Sequence, residues 1–151
     1  MSSMKKAFGD AGFRQGGNPH AQGPAIDHKK MTEYYDQEGC IRREVFVDWA
    51  HTIARAFSDA RVTRTRLRRL YEQVLATRAR LRLRHEQPSH VLRSGLLALR
   101  RAAEHLGKRQ PELPQVAVSF ITVHVDNVGE DTKKFDGFFE LFQSVYAYMP
   151  R

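Results

Sequence analysis

A chain of 151 residues with 41% hydrophobic content is long enough for one domain with a modest core and too short for two. It contains no apolar run near membrane-spanning length and no apolar stretch behind its positive N-terminal residues, so the expectation is a cytoplasmic protein with no membrane partner. The single cysteine, Cys40, excludes an internal disulfide and a cysteine-built zinc site within one chain, and the net charge of +8 directs attention to anionic partners.

Residues 1–30 hold half of the glycines, including Gly16-Gly17-Asn18-Pro19 and Gly23-Pro24, and almost no periodic apolar positions. That composition predicts a disordered leader over 1–30, followed by a single helical domain over 31–151. His20 and His28 stand eight residues apart in it without a third ligand, and they read as parts of a solvated tail.

From Ile41 to Ala60, Val45, Phe46, Trp49, Ile53, Ala56 and Phe57 recur at three- and four-residue steps, which predicts a first core helix with Trp49 as a packing anchor. Thr63 then has the chemistry of a helix cap. The helix it opens carries a narrow apolar stripe of Leu67, Leu70, Tyr71, Val74, Leu75 and Leu81.

This second helix also carries the excess charge. Between Arg61 and Arg84 there are nine arginines and one acid, Glu72, whereas the remainder has 16 basic and 16 acidic residues. With Leu67 at the origin, Arg66, Arg69, Arg80 and Arg84 fall at roughly 200° to 260°, on a face with Gln73, while Arg64, Arg68 and Arg82 flank the stripe. Arg78 projects within the stripe, where it must snorkel out or meet a carboxylate or subunit partner, making it a candidate for structural or interface use. A merely solvated face predicts acids at i,i+4, and Glu72 alone supplies them. Arginine in place of lysine favours bidentate phosphate contact, so Arg64, Arg66, Arg68, Arg69, Arg80 and Arg84 are the candidate nucleic-acid-binding residues.

After Gln87-Pro88-Ser89, with Ser89 as a candidate cap, Leu92, Leu96, Leu99, Ala102, Ala103 and Leu106 predict a third helix stopped by Gly107. Val116 to Val128 is rich in β-branched residues, yet a lone strand would have no partner, which favours a buried helix. Phe135, Phe138, Phe139, Phe142, Val145, Tyr146 and Met149 predict a last helix starting near Asp131 or Thr132, with Thr132 a candidate cap. Its aromatic stripe fits two roles, a core seam or a docking face for another subunit, and Phe138, Phe142, Tyr146 and Tyr148 are the interface candidates. The pattern as a whole predicts an all-α, compact bundle of about five helices.

The residues show no catalytic constellation, no phosphate loop and no metal-binding histidine motif on a helix. His51, His85, His90, His105 and His124 are scattered. Asp126, Glu130 and Asp131 read as helix-start charges more readily than as a metal site. No cofactor and no small-molecule substrate are expected.

Two segments resemble a known family. Val62-Thr63-Arg64-Thr65-Arg66-Leu67-Arg68-Arg69-Leu70-Tyr71-Glu72-Gln73-Val74 resembles the threonine-started, Leu-Arg-x-x-Tyr helix of the small subunit of type III-A CRISPR effector complexes, the Csm small subunit. Phe142-Gln143-Ser144-Val145-Tyr146-Ala147-Tyr148 is similar to that family's closing Phe-Glu-Ala-x-Val-Ala-Tyr pattern, with Gln143 at the glutamate position. The resemblance implies a non-catalytic RNA-binding subunit of an antiviral complex, stacked in copies as an inner filament along guide RNA and target RNA, beside subunits that cleave the target. It also implies that basic surface residues hold the RNA backbone, a role that passes to Arg66, Arg69 and Arg80. Two other readings stay open on the residues alone: a helical DNA-binding regulator with Arg64 to Arg84 as recognition helix, and an assembly protein without nucleic-acid contact.

Overall fold

The computed structural model describes residues 26–151. Five helices of twelve residues or more make up most of that stretch: α1 (Asp48–Asp59), α2 (Arg64–Leu83), α3 (Pro88–Leu106), α4 (Gln115–Val128) and α5 (Thr132–Tyr148). Shorter pieces precede them, a 3₁₀ turn at His28–Met31 and a single α-turn at Arg43–Phe46. Among the described residues the only β pairing is one antiparallel bridge, Tyr35 to Ile41, and none of these helices is long and apolar enough to cross a membrane.

The helix boundaries follow from local chemistry. Thr63 caps α2, its hydroxyl accepting from the Arg66 amide at 3.2 Å, as expected of a residue that satisfies an otherwise orphaned first-turn donor. α3 begins with Pro88 at its first position, after Gln87, so the expected Ser89 cap is replaced by a proline start. Gly107 ends α3 as predicted. α5 is capped one residue earlier than Thr132, by Asp131, whose carboxylate accepts from the Lys133 and Lys134 amides at 2.9 and 3.2 Å. Aspartate there also meets the positive end of the helix dipole. Val116 to Val128 is helical throughout, with Ala117, Phe120, Ile121, His124 and Val125 buried.

The five helices share one core. Phe57 of α1, Phe120 of α4 and Phe138 and Phe142 of α5 meet as an aromatic cluster with centroid separations of 5.4 to 5.9 Å. Around it lie Leu67, Leu70 and Val74 of α2 and Leu92, Leu96 and Leu99 of α3. Each such buried side chain contributes roughly 1.5–3 kcal/mol relative to exposure. α2 and α3 form an antiparallel hairpin that packs tightly at Gly95, where a Cβ would sit 2.4 Å from the Thr77 hydroxyl.

Beyond the two caps, four expectations change. The first helix is broken at Val47, which takes φ −123° and ψ −75°, and the resulting shift of register turns Phe46 outward to 39% exposure. Leu75, assigned to the apolar stripe of α2, lies at its exposed edge. His28, placed in a solvated leader, is buried, and its Nε2 bonds to the Val116 carbonyl at 3.0 Å. Residues 26–30 are therefore part of the fold, while His20 and the rest of the expected leader lie outside the described residues. Phe138 and Phe142 are both 0% exposed, so neither offers a docking face; α1, α2 and α4 cover the aromatic stripe that the sequence left open.

Candidate nucleic-acid interface

The nine arginines between Arg61 and Arg84 do not share one environment. Arg64 and Arg78 belong to the seam between α2 and α5. The Arg64 guanidinium lies 4.3 Å from the centroid of Tyr146 and donates to the Met149 carbonyl at 3.4 Å. Tyr146 in turn stacks on Tyr71 at 4.6 Å with 13° between planes. One heptad further on, Arg78 lies 4.3 Å from the Phe139 ring centre. A guanidinium over an aromatic face keeps its charge partly solvated while its stem packs, which is how an arginine sits inside an apolar stripe without a carboxylate. Arg64 is thus engaged within the chain, as is Tyr146, while Tyr148 remains 41% exposed and stacks on His51 at 3.8 Å.

The other candidates divide by partner. Arg68 pairs with Glu72 at 3.0 Å across one turn, and Arg80 grips both carboxylate oxygens of Glu86 at 2.8 and 3.0 Å. These exposed pairs each contribute little to stability. Arg66 donates to the Glu112 carbonyl at 2.9 Å. Arg69 and Arg84 are exposed and form no ion pair or side-chain hydrogen bond among the described residues. Arg84 also ends α2 in the left-handed conformation, φ 59°.

Folding adds residues that the sequence pattern missed. α3 and the loop after it bring Arg101, Lys108 and Arg109 to the same hairpin, all exposed. From Arg61 to Leu113 the chain carries 14 basic and 4 acidic side chains, whereas the rest of the described residues carry 8 basic and 12 acidic. Charge in this fold is therefore segregated by structural unit.

The acidic group Asp126, Glu130 and Asp131 is resolved into separate tasks. Asp126 pairs with Arg100 and Glu130 with Arg93 at 2.8 Å, linking α4 and the turn after it to α3, and Asp131 caps α5. The arginine beside Glu130 holds its carboxyl below the usual value.

Two grooves open beside α2. The larger, 860 Å³, lies near its C-terminal end between Arg78, Arg82 and Arg84 on one wall and Asp136, Phe139 and Glu140 on the other, so its charges are mixed. The smaller, 290 Å³, lies at the N-terminal end and is lined by Arg66, Arg69 and Arg109 together with Leu106 and Leu113, with no acidic side chain. The hairpin therefore concentrates positive charge, and the groove at the start of α2 has no acidic side chain in its lining.

A family model described as Csm2 Type III-A matches residues 42–149, a span that contains all five helices and the whole basic hairpin. The chain belongs to the Csm2 family. As a Csm2 chain it is a subunit of a type III-A CRISPR effector complex. No curated protein and no solved structure gives a match. Within this Csm2 chain, Arg101, Lys108 and Arg109 had no signal of their own, because acids elsewhere cancel them in any count taken outside Arg61–Arg84.

Proposed function

We propose that this Csm2 chain is a non-catalytic, RNA-binding structural subunit, cytoplasmic, which stacks in copies along guide RNA and target RNA with its α2–α3 hairpin turned to the RNA backbone. The segregation of 14 basic against 4 acidic side chains on that hairpin carries the reading. A surface of arginines spread over a helix about 30 Å long suits an extended backbone better than a few bases. Sequence would be read by pairing between guide and target, and the protein would hold shape and phosphate.

The same architecture disfavours a DNA-binding regulator. α2 is packed against both α3 and α5, and two of its arginines are stacked on aromatic rings of α5, which leaves only a strip of it for a groove. Arg69, Arg84 and Arg101 form the unpaired part of the RNA face, Arg68 and Arg80 the part that first exchanges a carboxylate for phosphate, Arg66 the part anchored on the Glu112 carbonyl with N–H groups to spare, and Arg64 serves the seam. For contacts between copies, Tyr148 is the remaining exposed aromatic of the expected set.

Co-expression with the other subunits tests the assembly: the chain should co-purify with a guide-RNA complex, and isolation as a free DNA-bound dimer would favour the regulator. For the RNA face, Arg69, Arg84 and Arg101 changed together to alanine should lower the slope of log affinity against log salt by about 2 for single-stranded RNA. An unchanged slope would sink the assignment.

A further inference from the structure

The small groove at the start of α2 has the lining of a discrete anion site rather than of a diffuse basic surface. Three guanidinium-bearing residues from two segments about forty positions apart, Arg66 and Arg69 on α2 and Arg109 in the loop after α3, line 290 Å³ that no acidic side chain shares. Such an arrangement carries mutual repulsion in the free protein, and an anion between the three groups relieves it. Arg66 is held in place by its bond to the Glu112 carbonyl, 2.9 Å, which uses one N–H and leaves others of the fork to point elsewhere. Arg69 and Arg109 are exposed and without ion pairs among the described residues. Leu106 and Leu113 make the floor apolar, so the site offers one concentrated charge contact beside a surface that suits a sugar edge.

Resting on the reading of the hairpin as the RNA face, we propose that Arg66, Arg69 and Arg109 together clamp one internal phosphodiester of a single RNA strand. The two non-bridging oxygens of an internal phosphodiester share one negative charge and together accept N–H groups from more than one guanidinium. The groove is open rather than enclosed, so the chain can continue on both sides of the held phosphate. Arg66 is the fixed member; Arg69 and Arg109 close on the phosphate from α2 and from the loop, tying the end of the hairpin to the strand.

The test measures binding of a short oligouridylate to the full chain as salt is varied, with Arg69→Ala, Arg109→Ala and the double variant. Each single change should weaken binding about tenfold, and the double should weaken it by less than the product of the two. The salt slope of the double variant should fall by about 0.7, the share of one phosphate; a fall of about 1.4 would mean two phosphates held separately and would overturn the clamp. Unchanged affinity in both single variants, with the parent binding RNA, would also overturn it while leaving the hairpin reading intact. A parent that binds no RNA removes the hairpin reading itself. Oligomers with 5′-hydroxyl and 5′-phosphate ends should bind equally, and a requirement for the terminal phosphate overturns the internal assignment. Both side chains are exposed and repel Arg66 in the free protein, so the thermal midpoints should equal or exceed the parent's, which separates lost binding from lost fold.

Discussion

Thr77 and Gly95 meet in the packed seam of α2 and α3, and their contact weighs two opposed effects at one site. Alanine at 95 removes the helix penalty of glycine, up to about 1 kcal/mol, but its Cβ would lie 2.4 Å from Thr77 Oγ1 and 2.8 Å from Cγ2. Overpacking of that kind costs about 1–3 kcal/mol, so Gly95→Ala should destabilise by urea unfolding. In a Thr77→Ala background the two shortest contacts are gone and only the one of 3.2 Å to the Cβ at 77 stays, so the same change should cost much less; an equal cost in both backgrounds would show that the close approach is not the cause. His124 supplies a second residue-scale prediction. It is fully buried, shares a hydrogen bond with Tyr34 at 2.5 Å, and burial lowers its pKa to about 3, with the neighbouring His28 adding repulsion. Burial also lowers His28. Between the unfolded value of 6.5 and about 3, the unfolded chain binds protons that the folded chain refuses. Stability is therefore complete above pH 6.5 and falls as the pH drops below it, by about 1.4 kcal/mol per unit for each fully refused proton. His124→Gln should flatten that slope in acid titrations followed by circular dichroism, whatever its effect at neutral pH.

At the scale of elements, the seam between α2 and α5 is a ladder in which the heptad-spaced Arg64, Tyr71 and Arg78 of α2 meet Tyr146, Phe142 and Phe139 of α5, within about two turns of that helix. Changing Arg64 or Arg78 to methionine keeps most of the packed stem and removes the cation–π contact, which should cost about 1 kcal/mol. The same variants should reduce RNA affinity less than Arg69→Ala does. Were Arg78→Met to weaken RNA binding as much as Arg69→Ala with no change in thermal midpoint, the ladder would not be its role. This seam also marks the limit of what the sequence discloses. Periodicity is a record of burial, so it located α2 through α5, the cap at Thr63 and the stop at Gly107. It could not foresee the break at Val47, because valine carries no breaker signal. It put Arg64 beside the apolar stripe and Arg69 on the opposite face, yet it could not show that Arg64 stacks on a ring of α5, since angular position on one helix does not say which neighbour lies opposite. Phe138 and Phe142 were ambiguous for the same reason. Arg109 was invisible as a candidate because only the return of the chain after α3 brings it to the groove that Arg66 and Arg69 line.

At the scale of the molecule, 14 basic and 4 acidic side chains on the hairpin oppose 8 and 12 on the rest of the described residues, and salt acts on this distribution in two directions. Attractive pairs that join the two parts, such as Arg93 with Glu130 at 2.8 Å, are contacts between exposed groups and contribute little. Repulsion within the hairpin acts over longer separations, comparable to the Debye length of about 10 Å at 0.1 M, where added ions screen it effectively. The repulsive part should therefore respond more, and the thermal midpoint of the free chain should rise between about 0.02 M and 0.3 M chloride. RNA affinity should fall steeply over the same interval as counterion release loses its advantage. An RNA strand bound at low salt would replace the screening ions, so the stabilisation by RNA and that by salt should not add. Measuring the midpoint with and without RNA at both salt levels checks this: RNA should raise it markedly at low salt and little at high salt. A midpoint that falls with salt in the free chain would mean that the bridges from hairpin to α4 outweigh the repulsion, and the hairpin would then be held by the acidic part of the fold rather than strained against itself.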